Sequence, residues 1–264
     1  MDLGLRDRVA IVTGASRGIG RQVAIDLAAE GCHVALGGRD AVALAAVTKE
    51  VERAGVRAMQ LVVDLEVDRD ATPIVRRVRD ELGPVDILVN NAGGNSPRKL
   101  LELTDEDWQQ GFEQNFFSAV RLALACVPGM QARHWGRIVN VASSRAREPD
   151  PYFGPYSAAK AALVNFSKNL SLAFASDGVL SNCVDPGITM TDGIEANAQA
   201  AAERMKVTPE EVMQRMIERF PIDAGRYGDP GEVSAAIVFL ASDRASWITG
   251  ATLAVDGGSL KVVP

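Results

Sequence analysis

Histidine and cysteine, on which most metal sites and many nucleophilic sites depend, are scarce here. Of 264 residues, 2 are His (His33, His134) and 3 are Cys (Cys32, Cys126, Cys183). The cysteines are too far apart for a short metal-binding spacing, and each lies in an apolar stretch. They read as buried free thiols of a reducing compartment, not as a disulfide framework. With so little histidine, a His-based metal site or a Ser-His-Asp triad has almost no material. Aromatic residues are only 5% of the chain, too few for an aromatic-rich sandwich. No uninterrupted apolar run approaches 18 residues, so no membrane span is expected. The opening MDLGLRDRVAIVTG lacks the apolar core of a signal peptide before its first strand, so a soluble cytoplasmic protein is expected. Positive charge is also in deficit. There are 28 Lys and Arg against 34 Asp and Glu, a net charge of -6, which argues against nucleic acid as the main partner. Repeats, low-complexity tracts and Pro/Ser-rich linkers are missing too.

What remains is an alternation. Short Val/Ile/Leu-rich runs at 8–13, 32–36, 58–63, 85–90, 137–142, 180–184 and 252–255 read as strands. They are nearly continuous in apolar character, as expected of parallel strands covered on both faces. Segments 18–30, 40–54, 68–82, 104–131, 155–176 and 230–242 are long enough for crossover helices. The alternation predicts one α/β domain over 1–264: a doubly wound parallel sheet with helices on both faces. Thr208-Pro209-Glu210-Glu211 and Asp229-Pro230-Gly231-Glu232 are helix starts, each with an acceptor cap, a Pro and an acid that can reach back. The first of these falls between the sixth and seventh strands, so 188–228 is expected to be an insertion with at least one helix.

Gly14-Ala15-Ser16-Arg17-Gly18-Ile19-Gly20 follows the first strand and opens a helix. Such glycines let the chain turn sharply and approach a pyrophosphate, which then sits on the helix N-terminus. The second strand ends Leu36-Gly37-Gly38-Arg39-Asp40, where an adenosine ribose would lie. Gly37 and Gly38 leave room, and Arg39 with Arg17 could close on a 2′-phosphate. Asp40 immediately precedes the next helix and reads as its cap. These features favour NADP; NAD, with Asp40 accepting from the ribose, is the alternative. Asp64, ending the third strand, could accept from an adenine amino group with Leu65 donating its backbone N–H, or could be an ordinary turn residue.

Tyr156 and Lys160 stand four apart on a predicted helix and so share a face. The ammonium is expected to lower the phenol's pKa, ordinarily about 10, and make it a usable general acid or base. Taken with TGxxxGxG at 13–20, Asn90-Asn91-Ala92-Gly93, Ser143 thirteen residues before Tyr156, and Pro186-Gly187, the chain resembles the short-chain dehydrogenase/reductase family from Arg8 to Gly258.

The resemblance implies a seven-stranded sheet in the order 3-2-1-4-5-6-7 and hydride transfer between NADP(H) and a carbonyl or secondary alcohol. It makes Tyr156 the acid/base and has Lys160 bond the nicotinamide ribose. Ser143 would polarise the substrate oxygen, with Ser144 as the alternative. Asn115 would bend the fourth helix and hold a relay water. Gly14, Ser16, Arg17, Gly18, Ile19, Gly20, Arg39, Asp64, Leu65, Asn91, Ala92, Gly93, Pro186, Gly187, Ile188, Thr189 and Thr191 would line the cofactor. Segment 188–228 matches the family's substrate lid, and its stripe Val212, Met213, Met216, Ile217, Phe220 would face an apolar ligand or seal the lid. Tyr152 would line the mouth. Asp185 replaces the usual Asn before Pro-Gly and reads as a turn acceptor.

The family usually forms homotetramers through its fourth and fifth helices. Its bacterial members include reductases of 3-oxoacyl groups on acyl carrier protein, the runner-up specificity. Arg133, Arg145, Arg147, Arg98 and Lys99 could dock such a carrier, while Asp177 stands where those reductases are commonly basic. A nucleotide-binding sensor without turnover is the alternative from another class, since fold alone does not exclude it.

Overall fold

Seven strands form where the apolar runs predict them, in a computed structural model that describes residues 2–262. They are β1 (Val9–Thr13), β2 (His33–Gly38), β3 (Ala58–Val62), β4 (Ile87–Asn90), β5 (Gly136–Val141), β6 (Val179–Pro186) and β7 (Thr252–Val255). All pair in parallel, in the order β3-β2-β1-β4-β5-β6-β7. Alternate residues of one strand feed two cores. Ala10 and Val12 pack with α1 (Gly18–Ala29), α2 (Ala41–Glu52) and α9 (Pro230–Ala241) on one face. Val9 and Ile11 pack with α3 (Thr72–Glu81) and α5 (Ser118–Ala132) on the other. Burial on both faces of β1, β4, β5 and β6 is why these strands show no polar alternation, whereas the edge strands β3 and β7 are partly open.

The predicted helix over 104–131 is not one regular helix. It divides into α4 (Asp105–Phe112), a widened π turn over Glu113–Phe117, and α5. The next helix, α6 (Gly154–Phe174), carries the Tyr-Lys pair. Segment 188–228 holds two helices, α7 (Asp192–Met205) and α8 (Pro209–Arg219). Capping boxes close at Thr104/Asp107, Thr208/Glu211 and Asp229/Glu232. The α8 stripe is only half-buried, and no residue of that helix is fully covered. The three thiols are free and buried, and burial pushes each up to about 12. Among the described residues no helix is long and apolar enough to cross a membrane.

Parallel strands bring the carboxyl ends of β1, β4, β5 and β6 to one edge. There Val12 sits beside Val89, Asn90 beside Asn140, and Val141 beside Val184. Open α/β sheets place ligands outside this edge, at the point where strand order reverses.

Candidate active site

The turn after β1 leaves the start of α1 open. Arg17 occupies the N-cap with no side-chain hydrogen bond to the helix, and the first turn has no acidic residue. The first N–H groups therefore remain available to an anion. Two glycines are dictated by space. Gly14 has φ +64°, and a Cβ on Gly20 would lie 2.3 Å from the Gly14 carbonyl oxygen and 2.4 Å from Asn91 Nδ2. Ser16 and Ile19 are half-buried in this turn, and Thr191 lies across from Gly18.

Thr13, not singled out in the sequence, ties β1 to the loop after β4. Its hydroxyl donates to Val89 O at 3.3 Å and accepts from the N–H groups of Asn91 and Ala92, each at 2.9 Å. Asn91 Nδ2 donates to Thr13 O at 2.9 Å and Gly14 O at 3.2 Å. The glycine turn and the β4 loop thus form one rigid floor. Gly93 brings bare backbone further in: a Cβ there would lie 2.7 Å from Asn115 Oδ1 and 3.3 Å from Lys160 Nζ.

Asn115 lies in the π turn and is 2% exposed. Its amide donates to Gly94 O at 2.9 Å and Gly111 O at 3.0 Å, and its Oδ1 accepts from Gly94 N at 3.1 Å. The widened turn is therefore pinned to the β4 loop.

Ser143, Tyr156 and Lys160 meet above β5 and β6. Ser143 caps a short 3-10 turn, its Oγ accepting from Arg145 N at 3.2 Å. That bond leaves its O–H free to point elsewhere. Ser143 is buried, whereas Ser144 is half-buried. Lys160 is 3% exposed, donates to Val141 O at 2.7 Å, and lies 5.8 Å from the Tyr156 ring centroid. Burial pulls Lys160 down to about 8, against the charges of Cys183 and Asp185. Tyr156 departs from the sequence expectation. Burial raises its pKa above the ordinary value, and the Ser143 hydrogen bond and the Arg145 charge oppose this only in part. Desolvation of the phenolate outweighs the favourable neighbours, and Lys160 is directed to a carbonyl and not to the phenol oxygen.

Asp185 is more than a turn acceptor. It has no exposure, and Arg147 Nε lies 3.1 Å from its Oδ2. Neither carboxylate oxygen has an aligned hydrogen bond. Burial pushes the carboxyl up to about 6, with Arg147 the chief opposing influence.

At the β2 end, Asp40 caps α2 through Val42 N and Ala43 N, each at 3.0 Å. Arg39 is 65% exposed and reaches Glu66 at 3.3 Å and Asp64 at 4.0 Å. Asp64 accepts from Glu66 N at 3.1 Å, so it closes a turn of its own. Leu65 O accepts from Arg121.

The family profile described as short chain dehydrogenase matches residues 8–202. The chain belongs to the short-chain dehydrogenase family. This short-chain dehydrogenase is 35% identical over 256 residues to the 3-oxoacyl-(acyl-carrier-protein) reductase of Vibrio cholerae, covering 97% of this chain and 98% of that one. The crystal structure of L-sorbose reductase from Gluconobacter frateurii, complexed with NADPH and L-sorbose, superposes with a TM-score of 0.94 at 36% identity, covering all of both chains. A 3-oxoacyl (acyl-carrier-protein) reductase from Agrobacterium tumefaciens C58 with NADP bound gives 0.88 at 35% identity, over 97% of this chain and 96% of that one.

In this dehydrogenase, Pro186, Gly187, Ile188, Thr189 and Thr191 run from the end of β6 along the same edge. Gly187 N donates to Val255 O at 3.0 Å, Thr189 is buried, and Thr191 caps α7 through Ile194 N. The rim of its site is made by α8 and the Ser143–Tyr156 loop. Arg145 lies 4.2 Å over the Phe220 ring, and Arg219 lies 4.8 Å over the same ring and 5.2 Å over Tyr152. Arg219 also pairs with buried Asp150 at 2.7 Å. Most other cations named in the sequence are engaged. Arg133 donates to Val85 O at 2.6 Å and faces Asp86 at 3.4 Å, before β4 begins and so at the opposite end of the sheet. Arg98 pairs with Asp107 at 2.7 Å and Lys99 with Glu102 at 3.5 Å.

Proposed function

We propose that this protein is an NADP(H)-dependent oxidoreductase interconverting a carbonyl and a secondary alcohol, with Tyr156, Lys160, Ser143 and Asn115 as its catalytic residues. The convergence of Ser143, Tyr156 and Lys160 beside an uncapped helix start carries this reading. The named solved relatives hold NADPH or NADP. The donor set fits that group: free N–H groups at α1, glycines whose added Cβ atoms would block the turn, and Arg39 with Arg17 for the extra phosphate. Gly14, Ser16, Arg17, Gly18, Ile19 and Gly20 would hold the pyrophosphate, Arg39, Asp64 and Leu65 the adenosine. Asn91, Ala92 and Gly93 would hold the middle, and Pro186 to Thr191 the nicotinamide end.

When bound, the cofactor supplies the hydride. The chain does the rest. Tyr156, whose raised pKa keeps it protonated at neutral pH, gives its proton to the carbonyl oxygen. Ser143, held by Arg145 N, aims its O–H at the charge developing on that oxygen. Lys160 remains mostly charged at pH 7, since its pKa is about 8, and favours the phenolate that forms. Both side-chain donors of Asn115 are occupied, so a relay water would sit on the backbone carbonyls of the widened turn.

Residues 188–228 act as the substrate lid in this proposal, with Phe220 closing on the Ser143 loop. The buried thiols suit a cytoplasmic setting. Homotetramer formation would cover Phe117 and Leu124, which are 44% and 50% exposed. A 3-oxoacyl thioester on carrier protein or CoA is the second reading, favoured by the Vibrio relative.

The deciding experiment follows NADPH oxidation with ketones, oxoacyl thioesters and oxo acids. Tyr156→Phe should lower kcat by about 10²- to 10⁴-fold. Unchanged turnover in that variant would overturn the assignment. Equal use of NADPH and NADH by the unmutated protein would overturn the phosphate pocket.

A further inference from the structure

Arg145 differs from the other guanidinium groups around the mouth. Arg98, Arg147 and Arg219 each have a carboxylate within 3.1 Å: Asp107, Asp185 and Asp150. Arg145 forms no salt bridge among the described residues. A guanidinium carries five N–H donors. The side chain of Arg145 makes one hydrogen bond, from Nη1 to Glu148 O at 3.3 Å. Yet it is half-buried, where unmade hydrogen bonds to a charged group are costly.

Its position is equally specific. Arg145 stands two residues after Ser143, whose hydroxyl accepts its backbone N–H. Its charge is felt at Tyr156. Its flat face is taken by Phe220 at the end of α8. Arg219 lies over the same ring, so two cations converge there, and only Arg219 has an anion of its own. Nη1 is committed to Glu148 O, and the other donors of the guanidinium, two residues from Ser143 and over Phe220 of the lid, have no partner among the described residues.

We propose that Arg145 is a substrate-positioning residue that binds a carboxylate on the substrate, so that the substrates are oxo acids and hydroxy acids. A single fork matches the two oxygens of a carboxylate. A phosphate dianion would call for a second free cation, and the neighbouring ones are paired. Phe220 lies 4.2 Å from the guanidinium carbon and limits where the fork can turn, which gives the lid a part in placing the carbonyl over Tyr156 and Ser143. The side chain acts on binding, while its backbone N–H, which holds Ser143, survives any side-chain replacement.

This inference rests on the carbonyl-reductase reading, and one experiment separates the two. NADPH oxidation is followed with pyruvate, acetoacetate, levulinate and 5-oxohexanoate, each beside its primary amide, and with neutral ketones. The unmutated protein should show at least one acid with kcat/KM about 10-fold or more above its amide. Arg145→Gln should bring that acid-to-amide ratio to near 1, a loss of about 10-fold or more, chiefly through KM, and Arg145→Lys should restore part of it. The ratio is internal to each variant, so a general loss of activity does not imitate the effect. Turnover of neutral ketones and amides with no preference for any acid, or a ratio unmoved in Arg145→Gln, would overturn the carboxylate site and leave the reductase reading standing. No NADPH oxidation with any carbonyl would overturn both.

Discussion

At the residue scale, Asp185 is the sharpest case of position overruling identity. Next to Pro-Gly at a strand end, an aspartate reads as a turn acceptor. In the fold it has no exposure and faces Arg147 without an aligned hydrogen bond. Burial raises its pKa from 3.8 to about 6, so the native state holds the proton more tightly than the unfolded chain. Its stabilising effect is full below pH 3.8 and is lost as pH rises through about 6. A shift of that size corresponds to about 3 kcal/mol. Asp185→Asn should therefore flatten the fall in Tm between pH 4 and 7, measured by thermal denaturation; an unchanged slope would assign it to other groups. Tyr156 carries the same lesson. Its partner Lys160 was legible from spacing, but the raised phenol pKa was not, because burial is set by residues distant in sequence.

At the scale of elements, the glycine turn and the π turn decide how the site is held. The turn was readable because glycine spacing after a strand and before a helix has few other uses. Its rigidity was not, since that comes from Thr13 and Asn91 bonding across to the β4 loop. In Gly20→Ala, the new methyl would meet the Gly14 carbonyl at 2.3 Å, a backbone atom with little room to move. Overpacking of this kind costs about 1–3 kcal/mol. The variant is expected to lose roughly 3–10 °C in Tm and to gain less Tm than the parent on adding NADPH. An equal ligand-induced gain would show that the turn tolerates the methyl without disturbing the cofactor. A bend at Asn115 was expected through the family resemblance alone; its form, a π turn over Glu113–Phe117, was not legible in the sequence. The extra residue per turn is stabilised by Asn115 bonding to Gly94 and Gly111, and the first of these belongs to another part of the chain. Such turns concentrate at functional sites.

At the scale of the whole molecule, apolar surface is left where the sheet and helices end. Phe117 at the end of the π turn, Leu124 on α5, Leu172 on α6, Leu253 in β7 and Trp247 are exposed, Trp247 at 99%. A helix–helix interface through α5 and α6 would cover the first three. Light scattering is expected to find four chains in the unmutated protein, and Leu124→Glu should shift it to a smaller species. A monomer before mutation would contradict the tetramer.

Periodicity was enough to place the seven strands and their crossover helices, the family resemblance added the strand order, and glycine placement with the Tyr-Lys spacing pointed to the candidate cofactor end. Those features are local: a strand pattern, a turn that only glycine fits, two side chains one helical turn apart. Strand burial on both faces made even the absence of alternation informative. Charge pairing and burial were decided only by the tertiary structure. Arg133, Arg145 and Arg147 look alike along the chain, yet the fold ties Arg133 to Asp86 at the far end of the sheet and Arg147 to buried Asp185. It leaves Arg145 over the Phe220 ring, its charge felt at Tyr156, with no salt-bridged carboxylate among the described residues. Electrostatic energy depends on distance through space and on exclusion of water, and neither is written in the order of the residues.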